Sequence, residues 1–394
     1  MGDTQDRRTF RWFLFLFFLL NVGLGVFPPL LPQIMDDLHL SFAAAGMLGT
    51  AFGLFRFLVD LPTGILVERL GVSLILHSAA GLLLVGTGLS TWALSFWTMF
   101  AARACLGAGS GMAMVFAVLY LMRWGPAGNR NRRANLYEGS VVAGMAVSSQ
   151  LGGMIAGRWG WRWSFGVALF ILGLAWAVVT WGVLPGMRGL MKESGPPAVT
   201  PSRERSAPPL GTMLTIYLLI FGQAFAWGGG ISTLLPLLGG EALRMTPEVI
   251  GRVMAIAFWI EVCLLFPVGW AADVLGKVRV IIPGFLAMLA GIVLAPLAQG
   301  VWSYGGAFAV LVSGMSVWMA TPALHAERLA GGFRGRSAGL YRLVTDFGFI
   351  VAPAAVGWLV GQYGFATGAG VIAAVLVAAI TATCCCLRSP RPPA

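Results

Sequence analysis

The sequence predicts an all-α membrane protein, with twelve transmembrane helices in two pseudo-symmetric six-helix bundles. Three observations predict it. Hydrophobic residues fill 58% of the 394 positions and charged residues only 10%, whereas a soluble domain carries about 25% charged residues. The apolar residues gather into runs of about 20 residues or more, long enough to cross a bilayer. The second half of the chain also repeats the first at a nearly constant offset. Backbone groups in hydrocarbon must pair with one another, which leaves helices or a closed barrel. Runs without strict alternation exclude the barrel.

Taken in order, the predicted spans are 11–34, 42–66, 72–92, 94–122, 134–157, 163–185, 210–238, 247–270, 278–299, 302–326, 336–360 and 364–387. Twelve helices of about 24 residues use about 290 residues, and short loops and tails take the rest. The first run follows Arg7, Arg8 and Arg11 and is too long for the apolar core of a cleavable signal. At the midpoint lies the longest polar stretch, 186–209, rich in Pro, Ser and charge. It reads as a cytoplasmic linker between an N-terminal bundle at 1–185 and a C-terminal bundle at 210–394. The last run ends in Cys384, Cys385 and Cys386. Successive helical residues point about 100° apart, so these are small apolar filler and no metal site is expected. No cofactor is expected either.

Orientation follows from Lys and Arg. The formal net charge is +11, which on a soluble protein would suggest a nucleic-acid partner. Here the cations sit in the gaps between apolar runs, so none is expected. With the N-terminus inside, 19 of the 26 Lys and Arg fall on inner segments and span ends, and Arg158, Arg162, Arg244 and Arg252 fall outside. That bias places both termini in the cytoplasm of a cell in which this is an inner-membrane protein.

The repeat is legible at four separate places. Leu31-Pro32 matches Leu235-Pro236. Ser41 and Gly46 match Thr246 and Gly251. Gly64, Glu68 and Gly71 match Gly269, Asp273 and Gly276. Arg132-Arg-Ala-Asn-Leu-Tyr137 matches Arg336-Ser-Ala-Gly-Leu-Tyr341, and Gly144 then matches Gly348. Gly64 and Gly269 are expected to permit close helix approach, and Gly71 and Gly276 to allow the tight turn between spans.

The segment Gly64-Ile-Leu-Val-Glu68-Arg69-Leu-Gly71 resembles the loop 2–3 signature of the major facilitator superfamily, G-x-L-x-D-R-x-G-R-[KR]. Gly64, Leu66, Arg69 and Gly71 match it. Glu68 replaces Asp, and Val72 and Ser73 replace the basic pair. The second half supplies a degenerate copy from Gly269 to Lys277. Arg103-Ala-Cys-Leu-Gly107-Ala-Gly109 is similar to the family's R-x-x-x-G-x-G pattern in the fourth span. In the fifth span, Gly144-Met-Ala-Val-Ser148-Ser149-Gln-Leu-Gly152-Gly153 has Ser148-Ser149 where exporters of the family often show Gly-Pro.

The resemblance implies a secondary transporter, not an enzyme, with no catalytic residues. It implies alternating access to a cavity between the bundles, a small organic substrate, protons as the coupling ion, the lipid bilayer as surroundings, and a monomer. Proton-coupled efflux is the first expectation. Proton-linked uptake of an organic anion is the alternative, followed by a non-transporting sensor or lipid-handling member. The spans that surround the family's cavity supply Asn21, Arg103, Gln223, Trp227, Trp318 and Thr321 as lining candidates.

Charges within spans are costly and mark function. Arg56 and Asp60, and Arg342 and Asp346, are spaced i, i+4, so each pair shares a helix face. Cross-pairs Asp60–Arg342 and Arg56–Asp346 are expected to close the cytoplasmic side in one state and to break in the other. The competing reading satisfies each pair within its own helix. Glu261, Asp346 and Glu138 are the candidates for the coupling proton.

Overall fold

The computed structural model describes residues 2–123, 130–187, 209–329 and 334–387. The central part of the expected linker, 188–208, lies outside them, and so do the side chains of Glu68 and Arg336. The described residues contain no strand. They form twelve helices long and apolar enough to cross a membrane. These are α1 (Asp6–Asp37), α2 (Phe42–Asp60), α3 (Arg69–Thr91), α4 (Phe96–Leu121), α5 (Arg132–Trp159), α6 (Trp161–Met187), α7 (Leu210–Ala242), α8 (Pro247–Leu275), α9 (Lys277–Leu297), α10 (Val301–Arg328), α11 (Leu340–Tyr363) and α12 (Phe365–Cys386). This is a multi-pass, all-α membrane protein.

The repeat is written into the backbone. Six described residues have positive φ, and they fall into three pairs: His39 (51°) with Arg244 (52°), Gly71 (82°) with Gly276 (93°), and Gly160 (89°) with Gly364 (85°). The partners stand 205, 205 and 204 residues apart. Five of them stand between two helices, and Gly71 breaks the first turn of α3. At Gly71 an otherwise helical backbone from Phe42 to Thr91 breaks (ψ 158°), which turns the chain back toward the membrane at the conformation glycine adopts most readily.

Two compact units can be separated. The first comprises Met1–Leu40, Ala51–Val199 and Thr246–Ala255, and the second Ser41–Thr50, Thr200–Met245 and Ile256–Ala394. Each unit therefore takes a ten-residue helix start from the other repeat.

The core of the first unit is aromatic. Phe13 of α1 stacks on Tyr120 of α4 at 4.4 Å between ring centres and lies 5.6 Å from Tyr137 of α5. Below this cluster Arg133 binds Asp6 and covers the Phe10 ring at 4.6 Å. At the opposite end Asp37 accepts hydrogen bonds from Trp161 Nε1 (3.1 Å) and Arg162 (2.5 Å), and Arg162 also donates to the Ala93 carbonyl (2.9 Å). Three turns are thereby clamped together. Trp92, Trp97, Trp159 and Trp163 are exposed at that end, where amphipathic indoles suit a membrane–water interface.

Glycines set the tightest helix crossings. In the second unit, a Cβ on Gly46 of α2 would strike the Pro353 carbonyl and lie 3.2 Å from Gly357 Cα of α11. In the first unit, a Cβ on Gly251 of α8 would strike the Ser149 carbonyl and lie 3.0 Å from Gly153 Cα of α5. The repeat relates one crossing to the other. Gly64 behaves differently: among the described residues nothing lies within 4 Å of its Cβ position, so the close approach expected there is not found. Overpacking such a crossing costs about 1–3 kcal/mol. Gly251→Val should therefore lower the unfolding temperature in detergent, while Gly81→Val, whose added atoms enter open space, should leave it nearly unchanged.

Candidate functional site

In the second unit α7, α10 and α11 carry two tiers of rings. In the lower tier His325 of α10 lies 5.7 Å from Tyr217 of α7 and 5.3 Å from Tyr341 of α11, measured between ring centres. In the upper tier Phe349 of α11 lies 5.3 Å from Trp227 of α7 and 6.3 Å from Trp318 of α10. At 1.5 Å per residue the tiers are about 10–15 Å apart along each helix. Gln223 of α7 and Thr321 of α10 belong to the turns between them. Both are buried, at 3% and 1% exposure. Among the described residues neither Gln223 Nε2 nor Thr321 Oγ1 has a hydrogen-bond partner.

Two helices lose regularity at the level of the upper tier. From Ala226 to Leu234 α7 widens into a π-helix. The run Gly228-Gly229-Gly230 allows α11 to come close: a Cβ on Gly229 would lie 2.9 Å from Val356. In α10 the α-helical stretch Val301–Met315 stops, and the next starts at Ala320. Trp318 N–H donates to the Met315 carbonyl (2.8 Å) and Ala320 N–H to the Val317 carbonyl (2.9 Å), both three residues back. Widened π-turns such as that of α7 concentrate at functional sites, and tightened three-residue turns inside a helix, as in α10, often mark hinges. Irregular backbone at membrane depth persists only inside protein or along a cavity.

The first unit holds the other lining candidates. Asn21 Nδ2 donates to the Phe17 carbonyl one turn back (2.8 Å). Arg103 of α4 is buried, with its guanidinium 3.9 Å from the centre of the Phe27 ring and 4.6 Å from that of Phe52. An Arg inside a span needs compensation, and two ring faces supply part of it. Neither ring is marked by any motif, so sequence reasoning missed both. It also missed Phe349 and the Tyr217–His325–Tyr341 tier, although the triple glycine after Trp227 was a readable sign of close backbone approach.

Arg56 and Asp60 of α2 are both buried. Gly111 of α4 leaves room for Asp60, since a Cβ there would come within 2.8 Å of Asp60 Oδ1. In α11 Arg342 Nε lies 3.5 Å from Asp346, the own-helix pairing, with Asp346 buried. Glu261 of α8 is buried and Glu138 of α5 half-buried. The small residues of α5 act in packing: Ser148 Oγ donates to the Val22 carbonyl (2.6 Å), and a Cβ on Gly144 would come within 2.6 Å of the Phe18 carbonyl. Among the described residues no three His, Cys, Asp or Glu side chains converge as metal ligands.

The profile of the Major Facilitator Superfamily matches residues 13–246 and 216–394. Multidrug resistance protein 2 of Bacillus subtilis is 25% identical over 87% of this chain and 86% of its own length. The hexuronate transporter of the same organism is 28% identical over 38% of this chain, and the Danio rerio facilitated glucose transporter member 12 is 30% identical over 42%. Those two alignments span only 35% and 27% of the relatives' own lengths. The crystal structure of the human organic anion transporter MFSD10 (TETRAN) superimposes with a TM-score of 0.67 at 16% identity, covering 96% of this chain and 99% of that one. At that identity the likeness is one of fold.

The bracket around Arg103 depends on a planar cation. Lys offers a compact ammonium that cannot lie flat on two rings. Arg103→Lys should cost about 1–2 kcal/mol, read as a lower unfolding temperature in nanodiscs. An unchanged temperature would show that the two rings contribute nothing.

Proposed function

The chain belongs to the major facilitator superfamily, a family of membrane transporters and not of enzymes, and from that premise we propose that it exports a small organic solute in exchange for protons by alternating access. The observation that carries this reading is the burial of ionisable groups inside apolar spans of both repeats: Arg56, Asp60 and Arg103 in one, Glu261 and Asp346 in the other. Such groups are costly in a bilayer and are retained where ions or solutes pass. The export direction is supported by the likeness to the B. subtilis multidrug resistance protein along most of both chains.

In this reading the bundles at 1–185 and 210–394 move against each other about the linker at 186–209, and the protein works as a monomer with both termini in the cytoplasm. Glu261, Asp346 and Glu138 are the carboxyl groups that load and release the proton. Arg342 exchanges its own-helix partner Asp346 for Asp60, while Arg56 turns to Asp346, so one set of pairs holds in each state. Uptake of an organic anion with protons is the second reading. It is favoured by the buried cation Arg103 and by the partial likeness to the hexuronate transporter.

Everted vesicles separate the two. Solute added to a proton exchanger releases protons from the acidified lumen and restores the fluorescence of a trapped amine dye, whereas a symporter leaves the dye quenched. Glu261→Gln should abolish that solute-linked proton movement. Unchanged coupling would remove Glu261 and leave Asp346 and Glu138. Topology is tested separately in a cysteine-free background. A single Cys at Gly300, between α9 and α10, should react from outside intact cells with an impermeant maleimide, and a single Cys at position 386 should not.

A further inference from the structure

We propose that α7, α10 and α11 of the second unit form a recognition site for a planar aromatic compound bearing a carbonyl oxygen. This rests on the carrier reading above and names the class of solute. Trp227 and Trp318 are each half-buried, so an indole surface of each remains open. Phe349 packs on both, with its ring plane at 71° to Trp227 and 53° to Trp318, and so joins the two indoles into one aromatic cluster. A flat ring system laid on an indole gains dispersion and quadrupole attraction.

Polar recognition comes from one turn further along the same helices. Gln223 precedes Trp227 by four residues and Thr321 follows Trp318 by three, so each shares a face with its indole. A buried amide N–H without an acceptor costs free energy that a hydrogen bond recovers. Gln223 Nε2 can only donate, so the complementary ligand atom is an acceptor, met most simply by a carbonyl oxygen. Thr321 Oγ1 can donate to the same oxygen or accept from a neighbouring ligand N–H. Small-molecule sites are built in this way, from apolar walls with a few placed polar groups.

The site has no counterpart in the first repeat. Positions equivalent to Trp318 and Thr321 fall in α4, which runs without interruption from Phe96 to Arg123. The break at Ser316–Met319 and the π-turns at Ala226–Leu234 lie at the level of the indoles, and the first repeat has Gly23 and Met114 where Trp227 and Trp318 stand. Recognition therefore belongs to the second unit.

The test uses the full chain in nanodiscs and two probes with one ring system: 4-quinolone, which carries the carbonyl, and quinoline, which lacks it. By isothermal titration calorimetry the wild type should bind 4-quinolone at least 10-fold more tightly than quinoline. Gln223→Leu should erase that preference, and Gln223→Asn should restore part of it. Trp227→Ala and Trp318→Ala should weaken both probes about 10-fold or more, with unfolding temperatures near wild type establishing that these variants are folded. Equal affinity of the wild type for the two probes, binding of neither, or a preference that survives Gln223→Leu would overturn the proposal. Binding with this pattern in a chain that moves no solute would retain the site and sink the carrier reading. Solute-linked proton movement with unaltered probe binding in the variants would do the reverse.

Discussion

One constraint governs this molecule: in hydrocarbon each backbone N–H and C=O must find a partner within the protein. Helices meet it locally, and this is why the described chain is helical nearly throughout. It also makes each exception informative. The left-handed residues lie at the six turns where helices end, at His39, Gly71, Gly160, Arg244, Gly276 and Gly364. The exceptions inside spans are of another kind. The first span breaks at Gly25–Val26, α6 and α7 widen into π-turns, and α10 is interrupted after Met315; the irregular stretches at Ala226–Leu234 and Ser316–Met319 lie at the level of the upper ring tier.

The same low dielectric explains how charge is handled. An ion moved out of water without compensation is unaffordable, and three buried or half-buried cations show how it is met here. Arg133 has a carboxylate and a ring, Arg103 has two rings, and Arg342 has Asp346 one turn on. Arg162 and Lys277, nearer the helix ends, are tied to Asp37 and Glu327. A buried pair separated by movement would leave two uncompensated charges.

Duplication preserved backbone and varied chemistry. Turn residues and glycine crossings recur at offsets of 204 or 205 residues with nearly the same φ values and approach distances. Side chains at equivalent depths do not: Glu261 stands where the first repeat has Arg56, and Arg342 where it has Glu138. Packing of small residues is a condition for helices to approach at all, so it resists change. Side chains away from the crossings have no such restriction, and Trp227 and Trp318 stand where the first repeat has Gly23 and Met114.

The twelve spans, their order, the twofold repeat and the turns at Gly71 and Gly276 were legible in the sequence, because each depends on composition or on a glycine within a few residues. Buried charges were legible for the same reason: Arg103 or Asp346 in an apolar run is conspicuous whatever surrounds it. What surrounds it was not legible. That Arg103 lies on Phe27 and Phe52 and that Phe349 packs on both Trp227 and Trp318 depend on residues 31 to 122 positions apart, and the burial of Gln223 and Thr321 without hydrogen-bond partners depends on the same packing. Any of the 25 phenylalanines could have filled those places. Local sequence determines which segments enter the membrane and where the chain turns, because partition and backbone pairing are settled residue by residue. Only helix-against-helix packing decides which side chains meet, because it depends on rotation and crossing angle, which no short window of sequence contains.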